Sequence, residues 1–105
     1  MSLIGTYTNS VLNATLEITE ANSSNGQGKG TFNIGGKSYD VTIRYHFQSA
    51  VGPTTSMRLY GNGAGYSYFG ASGSTADTSG NSGINIAGGV STFTTTDGFS
   101  GMFTK

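Results

Sequence analysis

The sequence predicts one all-β domain, an antiparallel up-and-down barrel of about eight short strands, with a two-sheet sandwich as the alternative. Three observations predict this fold. Apolar and polar residues alternate with a period of two, glycine-containing dipeptides separate the alternating runs, and no segment repeats with the period of a helix. A chain of 105 residues is the size of a single domain, which we place at residues 1–105.

The two clearest strands are residues 12–19 and residues 39–47, in which apolar and polar side chains alternate. Successive side chains of a strand point to opposite faces, so one face of each run is expected to lie on the core. The residues expected to point inward are Leu16, Ile18, Phe32, Val41, Ile43, Tyr45 and Phe47. The residues expected to point outward are Glu17, Asp40, Thr42, Arg44 and His46.

The remaining strands follow the same alternation more weakly. They are predicted at residues 3–8, 30–34, 56–60, 66–71, 84–86, 90–96 and 99–104. Tight turns are predicted at Asn25-Gly26, Gly35-Gly36, Asn62-Gly63 and Asp97-Gly98, because these residues accept positive φ angles. Residues 70–83 are predicted as the one long loop. Short links pair consecutive strands, and a meander of this length removes its exposed edges by closing into a barrel.

Charge is sparse, with five Lys or Arg, five Asp or Glu and a net charge of zero. This composition gives no basic patch for nucleic acid, and no stretch long and apolar enough for membrane insertion. It also removes the self-repulsion that keeps small proteins apart, so we expect a homo-oligomer. The chain has no cysteine, and its first residues lack the features of a signal peptide, although the composition is compatible with a secreted protein.

Three segments follow one another with a characteristic spacing: Gly5-Thr6-Tyr7-Thr8-Asn9, then Leu16-Glu17-Ile18, then a glycine-flanked run that ends at Thr31-Phe32. In order and spacing they resemble the N-terminal part of the avidin and streptavidin family, and the aromatic run 41–47 is similar to a central strand of that family. The resemblance implies an avidin-like barrel with a ligand pocket at the end that carries Asn9 and the loop after Ile34. The pocket would be lined by Tyr7, Asn9, Phe32 and Tyr45.

The same resemblance implies that biotin binds weakly or not at all. The family's pocket is walled by tryptophans, and this chain has none. Phe32 stands where the family has a tyrosine that bonds the ureido oxygen, and Ile34 stands where it has a threonine, while Asn9 is kept. Each lost hydrogen bond to such a buried group costs roughly 1–3 kcal/mol. The barrel is therefore expected to hold another ligand or none.

No residue pattern indicates an enzyme, a metal site or a cofactor. His46 is the single histidine and falls on a polar strand face, and the carboxylates show no spacing typical of catalysis or metal binding. The densest aromatic cluster is Tyr60, Tyr66, Tyr68 and Phe69, which suits either a core or a ligand surface.

The leading functional hypothesis is a non-enzymatic recognition protein with an avidin-like barrel that binds a small molecule or glycan. Two alternatives stay open. One is a lectin-like carbohydrate-binding module, because aromatic side chains stack on sugars. The other is a secreted effector or structural barrel whose interior is filled and whose outer surface makes the contacts.

Overall fold

The computed structural model describes residues 3–48 and 54–105, so the first two residues of the N-terminal segment lie outside the described part. Eight strands form one antiparallel sheet in which each strand pairs with the next. They are β1 Gly5–Asn9, β2 Ala14–Asn22, β3 Gln27–Ile34, β4 Lys37–Gln48, β5 Thr54–Gly63, β6 Tyr68–Thr75, β7 Ile84–Ser91 and β8 Thr96–Phe103. The predicted all-β, up-and-down architecture is confirmed. The described residues contain no helix that could span a membrane.

The sheet curls until its first and last strands meet, which makes a nearly closed barrel. The amide of Thr8 donates to the carbonyl oxygen of Thr104 at 2.8 Å, and the amide of Thr104 donates to that of Thr8 at 3.0 Å. Among the described residues this bridge is the only backbone pairing between the N-terminal and C-terminal strands. The barrel architecture is compatible with an avidin-like fold.

The inward faces of the strands form one hydrophobic core. Leu16, Ile18, Phe32, Val41, Ile43 and Tyr45 are buried as predicted, and Phe47 is partly buried against them. Glu17, Asp40, Arg44 and His46 are exposed, and Thr42 is intermediate. The two-residue alternation therefore assigned the faces of β2 and β4 correctly.

Aromatic rings fill the half of the barrel nearest the β3–β4 turn. The Phe32 ring stacks on Phe69 with 4.4 Å between centroids and on Phe99 with 5.2 Å. Glycine makes room for this packing where strands approach closely. At Gly61, which faces inward opposite Val41 and Phe69, a Cβ atom would overlap the carbonyl oxygen of Asp40.

The turn between the last two strands differs from the prediction. Residues 84–86 and 90 belong to one strand, β7, and Asp97-Gly98 lies within β8 instead of forming a turn. The actual turn is residues 92–95, where the hydroxyl of Thr92 accepts the amides of Thr94 at 3.3 Å and Thr95 at 3.2 Å. Hydrogen bonds to a threonine hydroxyl thus stabilise this turn, which we had predicted at Asp97-Gly98.

The hairpin of β5 and β6 also differs from the prediction. Asn62-Gly63 continues β5, and the turn follows at residues 64–67, where Gly65 has a φ of +68°. Residues 72–75 were predicted only as loop, but they lie in β6, where their backbone pairs with β5 and, as far as Ser74, with β7. The true loop between β6 and β7 is residues 76–83.

Candidate functional site

Tyr7 is one of the four residues predicted to line a pocket. Its side chain is fully buried, and its hydroxyl donates to the carbonyl oxygen of Leu3 at 2.6 Å, with that of Ser79 at 3.3 Å. The Nζ of Lys105 lies 5.3 Å from the ring centroid. Burial, together with the negative charge of Asp77, raises the pKa of Tyr7 to about 12. Tyr7 therefore joins the barrel wall to the loop before β7.

Asn9 is a connector between strands. Its Oδ1 accepts the amide of Leu12 at 2.9 Å, and its Nδ2 donates to the carbonyl oxygen of Met102 at 3.1 Å. The first bond shapes the β1–β2 turn, and the second holds β1 to β8 beside the closing bridge. Both ends of the amide thus have partners within the protein.

Phe32 and Tyr45 lie in opposite halves of the barrel. Phe32 is fully buried in the aromatic stack, and Tyr45 packs on Phe47 with 5.3 Å between ring centroids, near the β2–β3 turn. Burial raises the pKa of Tyr45. Of the four predicted residues, Tyr7 and Phe32 lie in the core and Tyr45 lies at its edge. Asn9 lies where β1 meets the C-terminal strand.

The end of the barrel next to Tyr7 is covered by the loop 76–83, and Asp77 organises that loop. One carboxylate oxygen accepts the amides of Ser79 at 2.9 Å and Gly80 at 2.5 Å, and the other accepts the amide of Ser82 at 2.9 Å. Burial works to raise the pKa of Asp77, but these hydrogen bonds prevail and lower it to about 2. The loop is also tied to the barrel wall, because the Thr55 hydroxyl donates to the carbonyl oxygen of Asp77 at 2.9 Å.

The opposite half of the barrel carries exposed aromatic side chains. Tyr66 and Phe93 stack at 4.8 Å between centroids and 29° between planes, yet they are 67% and 78% exposed. Tyr60 and Tyr68 are 40% and 46% exposed on the outer faces of β5 and β6. We call Tyr60, Tyr66, Tyr68 and Phe93 the aromatic strip.

The register shows how the strip is built. Tyr60 pairs with Gly70 and Tyr68 pairs with Asn62, so the two tyrosines are diagonal neighbours on one face. From Tyr68 the strip continues to Tyr66 in the β5–β6 turn, whose ring stacks on Phe93 in the β7–β8 turn. The strip therefore runs along the outside of the sheet to one end of the barrel.

The sequence located this surface only in part. Phe69, which was grouped with the three tyrosines, is 3% exposed and belongs to the core. Phe93 was missed because residues 90–96 were read as a strand. The segment Thr92–Thr96 contains four threonines around Phe93. Threonine hydroxyls can bond to nearby backbone amides in turns, so this composition could have suggested a turn.

The described residues offer little for metal binding. They contain no group of three or more His, Cys, Asp or Glu side chains that could hold a metal ion. His46 is exposed on the outer face of β4, where its register partner is Ser56.

Comparison of the chain with models of known protein families, with curated proteins and with solved structures finds no match.

Proposed function

We propose that this protein is a non-catalytic recognition domain that binds carbohydrate on the aromatic strip of its outer surface. The observation that carries the proposal is the Tyr66–Phe93 pair. Two large rings from different turns stack on each other and still leave most of their surface in water. Large apolar groups held at the surface of a small domain commonly mark an interaction site.

The packing of the core supports an outer site over an interior one. The Phe32 ring sits between Phe69 and Phe99, where an avidin-like pocket would need open space. Tyr7 and Asn9 use their polar atoms within the protein. This packing favours the alternative of a barrel with a filled interior. We propose a relation to the avidin family for the architecture alone, without a biotin site.

The surroundings of the strip support carbohydrate as the ligand class. Aromatic rings offer flat apolar faces, and neutral amides and hydroxyls supply the hydrogen bonds that sugar hydroxyls need. Asn62 and Ser91 lie directly beside Tyr68 in register, and Gly70 and Gly89 put no side chain next to Tyr60. Exposed rings flanked by amide and hydroxyl groups suit an extended sugar chain.

We further propose that copies of the chain associate through β8. In the described residues β1 is joined to the C-terminal segment by the Thr8–Thr104 backbone bridge and by the Asn9 side chain on Met102. Farther along β8, the backbone of Thr96, Gly98 and Ser100 on the side toward β1 has no partner among the described residues. Free strand edges pair with other strands. Antiparallel pairing centred on Gly98 would set Asp97 opposite Phe99 of a second copy, so no like charges meet.

A glycan array tests the proposed function. We expect the wild-type protein to be retained by a subset of glycans, and the variant Phe93→Ala to lose that retention. The variant Ile4→Ala is the control, because Ile4 is also a partly exposed apolar residue but lies near the opposite end of the barrel. Absence of binding to every glycan, or equal binding by Phe93→Ala, would overturn the proposal.

A further inference from the structure

Two arginines face each other on neighbouring strands. Arg44 of β4 and Arg58 of β5 are direct register partners, and both are exposed on the outer face of the sheet. Like charges directly opposite each other on paired strands destabilise a sheet. This chain has only five Lys and Arg residues, so the placement of two of them in one cross-strand pair is a specific feature.

No carboxylate among the described residues forms an ion pair with either arginine. Within the described residues, the Nη1 of Arg44 donates to the carbonyl oxygen of Ile43 at 3.1 Å, and the guanidinium of Arg58 lies 5.8 Å from the Tyr60 ring centroid. The two guanidinium groups therefore use different partners. Glu20 lines a neighbouring depression together with Arg44, but its register partner is Lys29, a third cation on this side of the sheet.

The arginines also line a depression. It has a volume of about 360 Å³ and is formed by Arg44, Tyr45, His46, Ser56, Met57 and Arg58. Arginine carries a planar fork of donors that matches the oxygens of carboxylate, sulfate and phosphate groups. The serine hydroxyl supplies a further hydrogen-bonding group at the same place.

We propose that Arg44 and Arg58 form an oxyanion subsite that takes the carboxylate or sulfate group of an acidic carbohydrate. Tyr60 connects the subsite to the aromatic strip, because its ring contacts the Arg58 guanidinium and its outer face continues to Tyr68. A negatively charged sugar bound here would relieve the repulsion between the two arginines while its chain lies along the strip. The carbohydrate part of this inference rests on the proposed function, and the oxyanion part stands on the arginine pair alone.

Inorganic sulfate tests the oxyanion part without any sugar. Sodium sulfate is titrated into the ¹⁵N-labelled protein and followed by NMR, with sodium chloride at equal ionic strength as the reference. We expect saturable shifts at the amides of Arg44, Ser56 and Arg58 that chloride does not produce. Arg58→Gln should weaken sulfate binding at least tenfold, whereas Lys37→Gln, which removes one exposed charge elsewhere, should not.

The folding of the variants is checked by thermal unfolding at low salt. Arg58→Gln should unfold at the same temperature as the wild type or higher, because it removes a like-charge contact. Sulfate shifts that match those of chloride, or that survive in Arg58→Gln, would overturn the subsite.

Paired polymers then separate the two parts of the inference. Dextran sulfate is compared with dextran, and polygalacturonate with its methyl ester, by calorimetric titration. We expect the acidic polymer of a pair to bind at least tenfold more tightly, and Arg58→Gln to lose that advantage. Equal binding of acidic and neutral polymers would refute the subsite but leave the strip. Sulfate binding without affinity for any polymer would refute the carbohydrate role and leave the oxyanion site.

Discussion

Gly80 lies directly against the phenol ring of Tyr7. A Cβ atom added at Gly80 would overlap the Tyr7 hydroxyl oxygen, and the residue has a φ of +77°, which disfavours other residue types. The loop 76–83 can cover this end of the barrel because position 80 carries no side chain. The contact links a turn-forming glycine to the most deeply buried tyrosine of the core.

The first prediction follows from that contact. Gly80→Ala should lower the free energy of unfolding by about 2–4 kcal/mol, since backbone strain of roughly 1–2 kcal/mol is joined by displacement of the Tyr7 ring. Gly65→Ala is the matched control, because Gly65 has a φ of +68° but nothing within 4 Å of an added Cβ. Chemical denaturation measures both variants. Equal losses would show that the loop does not press on Tyr7.

The second prediction concerns Asp77. Its pKa of about 2 in the folded protein lies below the usual value of 3.8, so folding favours the ionised carboxylate. This contribution to stability is present above about pH 4 and is lost as the pH falls through 2. Asp77→Asn should therefore be less stable than the wild type at pH 7, by about 1–3 kcal/mol for the weakened hydrogen bonds.

The difference between wild type and Asp77→Asn should shrink as the pH is lowered from 4 to 2 in a series of denaturation curves. Asp97→Asn, at an exposed position of β8, should change stability by less than about 0.5 kcal/mol at pH 7. A constant difference across the acid range would contradict the assigned role of the Asp77 charge.

The third prediction concerns self-association through β8. A lysine at an exposed edge discourages pairing with another strand. Ser100→Lys should therefore shift the protein to monomer in light scattering at high micromolar concentration, while Ser74→Lys should keep the wild-type mass. Ser74 is also exposed on the outer face, but it lies in the interior of the sheet between the uncharged residues Ser56 and Asn85. A wild-type protein that is monomeric at this concentration would remove the claim.

The fourth prediction concerns biotin. The Phe32 ring has no hydroxyl to offer and is enclosed by Phe69, Phe99 and Phe103. Biotin should produce no measurable heat, or only weak binding, in calorimetric titration. A dissociation constant below about 1 μM, which corresponds to roughly 8 kcal/mol of binding free energy, would require a pocket that this packing leaves no room for.

The sequence predicted the fold well because its strongest signal is physical and local. Alternation in β2 and β4 fixes which side chains enter the core, and the turn at Gly35-Gly36 follows from glycine's access to positive φ. The boundaries of β7 and β8 were predicted less well. Gly88, Gly89 and Gly98 resemble turn residues in the sequence, but they pair within the sheet, and at Gly88 a Cβ atom would overlap the carbonyl oxygen of Gly70 on the neighbouring strand.

The candidate site could not be read from local patterns. Tyr66 and Phe93 are 27 positions apart, and only the meander brings their turns to the same end of the barrel. The pairing of Arg44 with Arg58 likewise depends on the register of β4 and β5, which periodicity alone does not determine. The structural role of Asp77 was not predicted, because its partners are backbone amides of its own loop. The sequence of a polar, glycine-containing segment does not show which amides a carboxylate will bind.

The central claim is that recognition takes place on the outside of a filled barrel. The most direct test is an NMR titration of the ¹⁵N-labelled protein with the oligosaccharide that binds most tightly on the glycan array. We expect the shifted amides to cluster around Tyr60, Tyr68 and Phe93, and to lose their shifts in Phe93→Ala. Shifts concentrated instead at interior positions such as Leu16, Ile43 and Phe69, with the strip unaffected, would contradict it.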